Sequence, residues 1–139
     1  MAFFFFGTLM DDDVLAAVLA RPVAVHETAP ARLRGFERVA STNATYPVLR
    51  PAEQGGVDGR VLLEPSPRDV LRILHFESEE YEAEWLTVDV PEGTRPARVF
   101  LALETMQAGT EAWTLEHWAR RHKEEYLRLC EHWMSDSPT

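Results

Sequence analysis

The sequence predicts an α+β domain: a small, curved or barrel-like mixed β-sheet with flanking helices. Three observations carry that expectation. Short apolar runs rich in Val, Leu and aromatics recur along the chain, separated by turn signals at Tyr46-Pro47, Gly55-Gly56 and Pro91-Glu92-Gly93. Between them lie segments that open on helix-start residues and continue with three- and four-residue apolar spacing. No repeat, low-complexity linker or break in composition divides the 139 residues, so 1–134 reads as one domain and 135–139 as a frayed tail.

Taken in order, the run FFFF at 3–6 reads as a short buried strand. A helix follows over 11–20, where Asp11, Asp12 and Asp13 suit the positive end of its dipole and Val14, Leu15, Val18 and Leu19 make one apolar stripe. Strands are expected at 31–39, 57–63, 84–90 and 97–103. Ser66, Pro67 and Asp69 form a helix start with a reciprocal cap, and Val70, Leu71, Ile73 and Leu74 are the expected buried side. Thr114 caps a long C-terminal helix whose stripe is Leu115, Trp118, Ala119, His122, Tyr126, Leu129, Cys130 and Trp133.

Composition narrows the partners. With 23 acidic and 14 basic residues the formal charge is −9, and the basic residues are dispersed, which disfavours a nucleic-acid backbone or an anionic membrane. No apolar run approaches the ~20 residues of a membrane span. Met1-Ala2 ahead of the aromatics lacks the features of a signal peptide, and the single cysteine, Cys130, allows no intrachain disulfide. A cytoplasmic protein, monomer or homodimer, is the expectation.

Two stretches could carry chemistry. In FGTL a buried strand stops on Gly7, so the amides of Gly7, Thr8 and Leu9 are released from the sheet and can face an anion. In HFESEEYE, Glu77 follows Phe76 at the end of a helix, while Glu79, Glu80, Glu82 and Glu84 read as a solvated face. A carboxylate held by apolar neighbours and facing other acids has its pKa raised, which suits a general base near neutrality. His75, His117, His122 and His132 lack metal-ligand spacing and read as core or surface residues. Cys130 and the four tryptophans read as packing, with one tryptophan available to a pocket, and Arg38 as an ordinary strand residue.

The order FGTL, ARLRGF, TYPVLRP, VDGRVL and FESEEYE resembles the gamma-glutamylcyclotransferase-like superfamily, in particular its gamma-glutamylamine-cyclotransferase-like branch. The resemblance runs from about Phe3 to Val90 and more loosely beyond. It implies that fold, a substrate-binding turn at Phe6, Gly7, Thr8 and Leu9, a catalytic acid/base at Glu77, and pocket positions at Tyr46 and Tyr81. It also implies a small-molecule gamma-glutamyl substrate, closed by its own alpha-amine to 5-oxoproline with release of a free amine, and no metal or cofactor. Phe6 stands where that family usually has tyrosine, Leu74 where it has aspartate, and Ser78 where it has glycine. These departures leave an alternative from another class, a non-catalytic small-molecule binding or protein-interaction domain on the same fold. Whether Glu77 borders a cavity together with the 7–9 amides separates the two.

Overall fold

The computed structural model describes residues 2–41, 47–77, 81–102 and 108–137. The side chains of 41, 81, 102 and 108–111 lie outside that description. The chain forms a closed mixed barrel of five strands: β1 (Phe3–Phe5), β2 (Thr28–Ser41), β3 (Pro47–Leu62), β4 (Tyr81–Val90) and β5 (Gly93–Ala102). Neighbours run β3-β1-β5-β4-β2, and β2 pairs back onto β3 to close the ring. A sixth strand, β6 (Ala108–Ala112), extends the sheet from β2.

The four phenylalanines are explained by burial on both faces of β1. Phe4 sits opposite Val61 of antiparallel β3 and Val99 of parallel β5, and with Phe6, Leu33, Val57 and Val88 it fills the barrel interior. Phe3 and Phe5 face the other way, into a second cluster with Val14, Leu15, Leu19 and Trp118 from the helices. All four are 7 % exposed or less. At ~1.5–3 kcal/mol for each buried aromatic, this short segment contributes on the order of a domain's whole net stability. Close packing here requires Gly59, because a Cβ at that position would stand 2.3 Å from the Phe5 carbonyl oxygen and 2.6 Å from the Phe4 ring.

The helix starts behave as their sequences dictate. Asp11 accepts hydrogen bonds from the amides of Asp13 (2.9 Å) and Val14 (3.1 Å) at the start of α1 (Asp12–Leu19), whose Val14, Leu15, Val18 and Leu19 are fully buried. At α2 (Pro67–Glu77) the Asp69 amide donates to Ser66 Oγ (3.1 Å) while the Ser66 amide donates to the Asp69 carboxylate (3.0 Å). Asp69 is buried and also pairs with Arg21 at 2.9 Å. Burial opposes its ionisation, but Arg21 and the Ser66 donors outweigh it and hold the carboxyl below its ordinary range.

Several sequence expectations need correction. Strands β2 and β3 run well past 31–39 and 57–63, and β6 was not anticipated. The C-terminal helix is two, α3 (Leu115–Arg121) and α4 (Lys123–Met134), broken at His122 with φ −130° and ψ −18°. Leu71 and Leu74 of α2 are exposed, as are Leu129 and Trp133 of α4, so both apolar faces are wider than the core they cover. Trp85 is likewise exposed, set against Arg98 at 5.9 Å, whereas Trp113 and Trp118 are buried. Among the described residues no helix is long and apolar enough to cross a membrane.

Candidate functional site

Beyond β1, Phe6 and Gly7 lead into a one-turn 3-10 helix, Thr8–Met10. The opening amides of such a turn have no acceptor within it. Gly7 suits a tight approach, since a Cβ there would meet the Pro47 ring at 3.1 Å, closer than ordinary van der Waals contact. Two guanidinium groups hold the turn's ends. Arg38 of β2 donates to the Phe6 carbonyl (2.9 Å) and the Asp58 carbonyl (3.0 Å), and Arg60 of β3 donates to the Met10 carbonyl (3.0 Å). Arg38 lies over the Trp113 ring at 5.6 Å, and burial lowers its pKa from the ordinary value. The Asp58 carboxylate turns instead to Arg32 at 2.7 Å.

Glu77 faces this turn across a cavity of about 520 Å³. It is the last residue of α2, positioned because Ile73, one turn earlier, is locked in the core. It is half-buried and lines the cavity. Burial pushes its carboxyl up to about 8. Loss of water is the cause.

Thus Phe6, Gly7, Thr8, Leu9 and Glu77, separated by most of the barrel in sequence, border one cavity. Tyr46 lies outside the described residues, though its neighbour Pro47 is part of the wall. Tyr81 opens β4 opposite Ala102, and its side chain lies outside the description. Leu74 does not border the cavity, and Ser78 lies outside the described residues.

Sequence reasoning missed the wall supplied by the C-terminal segment. Tyr126 of α4 was placed in the core by its spacing, and its ring is indeed buried. Its hydroxyl meets Thr8 Oγ1 at 3.2 Å, putting a phenol beside the turn although Phe6 carries none. Trp133 packs edge-on against Tyr126 with ring centres 5.8 Å apart, and its carbonyl meets His75 Nε2 at 2.9 Å. Phe76 and Asp136 complete that side. Cys130 is fully buried with its thiol pushed up to about 11 by burial, which suits packing and not nucleophilic work.

Comparison with known proteins places this geometry. The family model described as gamma-glutamyl cyclotransferase, AIG2-like, matches residues 3–120. The chain belongs to that family. This AIG2-like chain is 30 % identical over 130 residues to AIG2-like protein D of Arabidopsis thaliana, covering 91 % of this chain and 84 % of that protein. AIG2-like protein A of the same plant is 27 % identical over 127 residues, covering 89 % and 75 %. In three dimensions the AIG2-like chain resembles the solution structure of an Arabidopsis thaliana protein at TM-score 0.67, 23 % identity, covering 99 % of this chain and 94 % of that one. It also resembles a gamma-glutamyl cyclotransferase at TM-score 0.59 and 15 % identity, covering 94 % and 86 %. The expected fold is therefore the observed one.

Proposed function

We propose that the protein is a gamma-glutamyl cyclotransferase that converts a gamma-glutamyl amine or amide into 5-oxoproline and a free amine, with Glu77 as general acid/base. The observation that carries this reading is the cavity shared by Glu77 and the Gly7–Leu9 turn, with the Glu77 carboxyl raised by burial to about 8. A carboxylate whose pKa is raised toward neutrality is a stronger base than an ordinary one and suited to take a proton from an alpha-ammonium group. Family membership makes the reaction class a natural choice for this site.

The reaction needs little from the protein because the nucleophile is tethered to the electrophile. Folding the glutamyl chain so that its alpha-nitrogen faces its gamma-carbonyl supplies much of the barrier reduction. Glu77 takes a proton from the alpha-ammonium, and the freed nitrogen bonds to the gamma-carbon. As the tetrahedral intermediate collapses, the bond from that carbon to the leaving nitrogen breaks. Overall two protons leave the alpha-nitrogen and two reach the leaving nitrogen, which departs as an ammonium ion; no water or other reactant is consumed. The turn amides hold the alpha-carboxylate or the developing oxyanion, and Thr8 Oγ1 with Tyr126 OH adds polar groups on that side.

The test is release of 5-oxoproline from a panel of gamma-glutamyl amines and dipeptides. Glu77→Gln, which keeps the shape and removes the base, is expected to lower kcat about 10²- to 10⁴-fold. Equal turnover by the two proteins would remove Glu77 from the chemistry. If nothing turns over, a binding domain becomes the better description.

A further inference from the structure

We propose that the cavity contains a leaving-group subsite for an aromatic amine lacking a carboxylate, formed by Phe76, Tyr126 and Trp133. The inference rests on the cyclotransferase reading and names which amine that reaction releases. The first argument is space. A gamma-glutamyl group has about nine non-hydrogen atoms, and even at the ~30 Å³ that liquid water gives each molecule it fills roughly half of the cavity. The remainder of the 520 Å³ belongs to the other half of the substrate.

The second argument is the chemistry of the walls. Tyr126 sits among edge-to-face aromatic contacts with Phe76 (6.5 Å), Trp118 (5.2 Å) and Trp133 (5.8 Å). Trp133 nevertheless stays 41 % exposed while lining the cavity, and Leu129, one turn earlier on α4, is 43 % exposed. An indole left half in water beside an open cavity is apolar surface ready to be covered by a flat apolar group. Its backbone carbonyl, held by His75 Nε2 at 2.9 Å, keeps this wall in place independently of the indole.

The third argument is charge, which separates an amine from an amino acid. Among the described lining residues the charged candidates are Glu77, Asp136 and His75, with no lysine or arginine. The sequence at 42–46, 78–80 and 103–107 contains none either. The substrate's own alpha-carboxylate has the turn amides to meet it. A second carboxylate, on a leaving amino acid, would share the cavity with Glu77 and Asp136 without a lysine or arginine to pair with it, and bear the cost of desolvation and repulsion.

The experiment compares three probes: gamma-glutamyl-phenethylamide, gamma-glutamyl-ethylamide and gamma-glutamyl-phenylalanine. Release of 5-oxoproline and binding by calorimetry are both measured. The phenethylamide is expected to exceed the ethylamide about 10- to 100-fold in kcat/KM, the gain expected of a well-fitted apolar pocket, and to exceed gamma-glutamyl-phenylalanine about tenfold. In Trp133→Ala the phenethyl-to-ethyl ratio should fall toward one, and Trp133→Phe should restore most of it. Equal rates for phenethyl and ethyl probes, or a preference for gamma-glutamyl-phenylalanine, would overturn the subsite while leaving the cyclotransferase standing. If no probe turns over, Trp133-dependent binding of the phenethylamide would support the subsite and remove the reaction. Absence of both turnover and aromatic binding would overturn the subsite.

Discussion

The two sides of the cavity are held by different physics. On one side, β1 is paired through its backbone to strands on both flanks, its phenylalanines are buried on both faces, and Arg38 and Arg60 grip the carbonyls at either end of the following turn. On the other side, Glu77 ends a helix, and α4 contributes aromatic edges with one backbone carbonyl tied to His75. The first wall is fixed by a strand ladder and by two guanidinium groups bonded to its backbone carbonyls. The second is a set of replaceable side chains. A reaction whose glutamyl half is constant and whose amine half varies among substrates is well served by that division.

Arg38 is the sharpest place to break the rigid side. It donates to the part-buried Phe6 carbonyl and to the more exposed Asp58 carbonyl, and its carboxylate neighbour Asp58 is engaged by Arg32. Arg38→Met keeps the bulk over Trp113 but leaves both carbonyls without this donor. At ~1–3 kcal/mol for the part-buried Phe6 acceptor and little for the exposed Asp58 one, less the cost of burying a cation, the variant is expected to lose about 1–2 kcal/mol of stability in urea melts. Because Phe6 leads into the turn, KM for any gamma-glutamyl substrate should rise together with that loss. Unchanged KM in a destabilised variant would mean that the turn keeps its shape without the clamp.

Glu77 tests the other side through pH. Its folded pKa of about 8 lies above the ordinary 4.5, so between those values the folded protein holds a proton that the unfolded chain has released. Stability is therefore full below about pH 4.5 and falls as pH rises toward 8, by up to about 1.4 kcal/mol per pH unit. Glu77→Gln does not titrate and should lose this slope, so the variant gains on the wild type as pH increases. The same carboxyl predicts that kcat/KM rises with pH through about 8, as the basic form becomes populated. Parallel stability curves for the two proteins between pH 5 and 8 would show that Glu77 is not desolvated.

The elements that were legible in the sequence are those whose cause is local. Asp11 and the Ser66/Asp69 pair announce helix starts because a cap is satisfied within three residues. FFFF followed by glycine announces a buried strand and its end. Strands β2 and β3 were read too short because Pro30, Pro51, Gly55 and Gly56 interrupt the apolar run, although their ladder is held by the partner strand and accommodates a register shift at Gly35 (φ +87°). β6 begins AGTEA, with no alternation to detect. The break at His122 has no glycine or proline to mark it. Leu129 and Trp133 show a limit of periodicity: it finds an apolar face and cannot tell a core from exposed surface or, at Trp133, from a cavity wall. Glu77 and Gly7–Leu9 were recoverable from the order of weak motifs, whereas the Tyr126 hydroxyl, 118 residues from Thr8, was not.

Tyr126→Phe gives the smallest expected effect and bears on where the two walls meet. The phenol reaches Thr8 from α4, so it is a polar contact between the replaceable side and the fixed turn. Removing only the oxygen leaves the ring among Phe76, Trp118 and Trp133, so the packing that holds α4 survives. The loss to stability should be about 0.5–1.5 kcal/mol, the net worth of a neutral hydrogen bond. If the hydroxyl only ties α4 to the turn, kcat/KM should fall by no more than the small change in folded population. If it instead orients the Thr8 hydroxyl toward substrate, kcat/KM should fall several-fold at full folding, and Thr8→Val should add little more in the double variant because the two groups act together. Independent, additive losses would place the two hydroxyls in separate roles and draw the boundary between the walls at Thr8 itself.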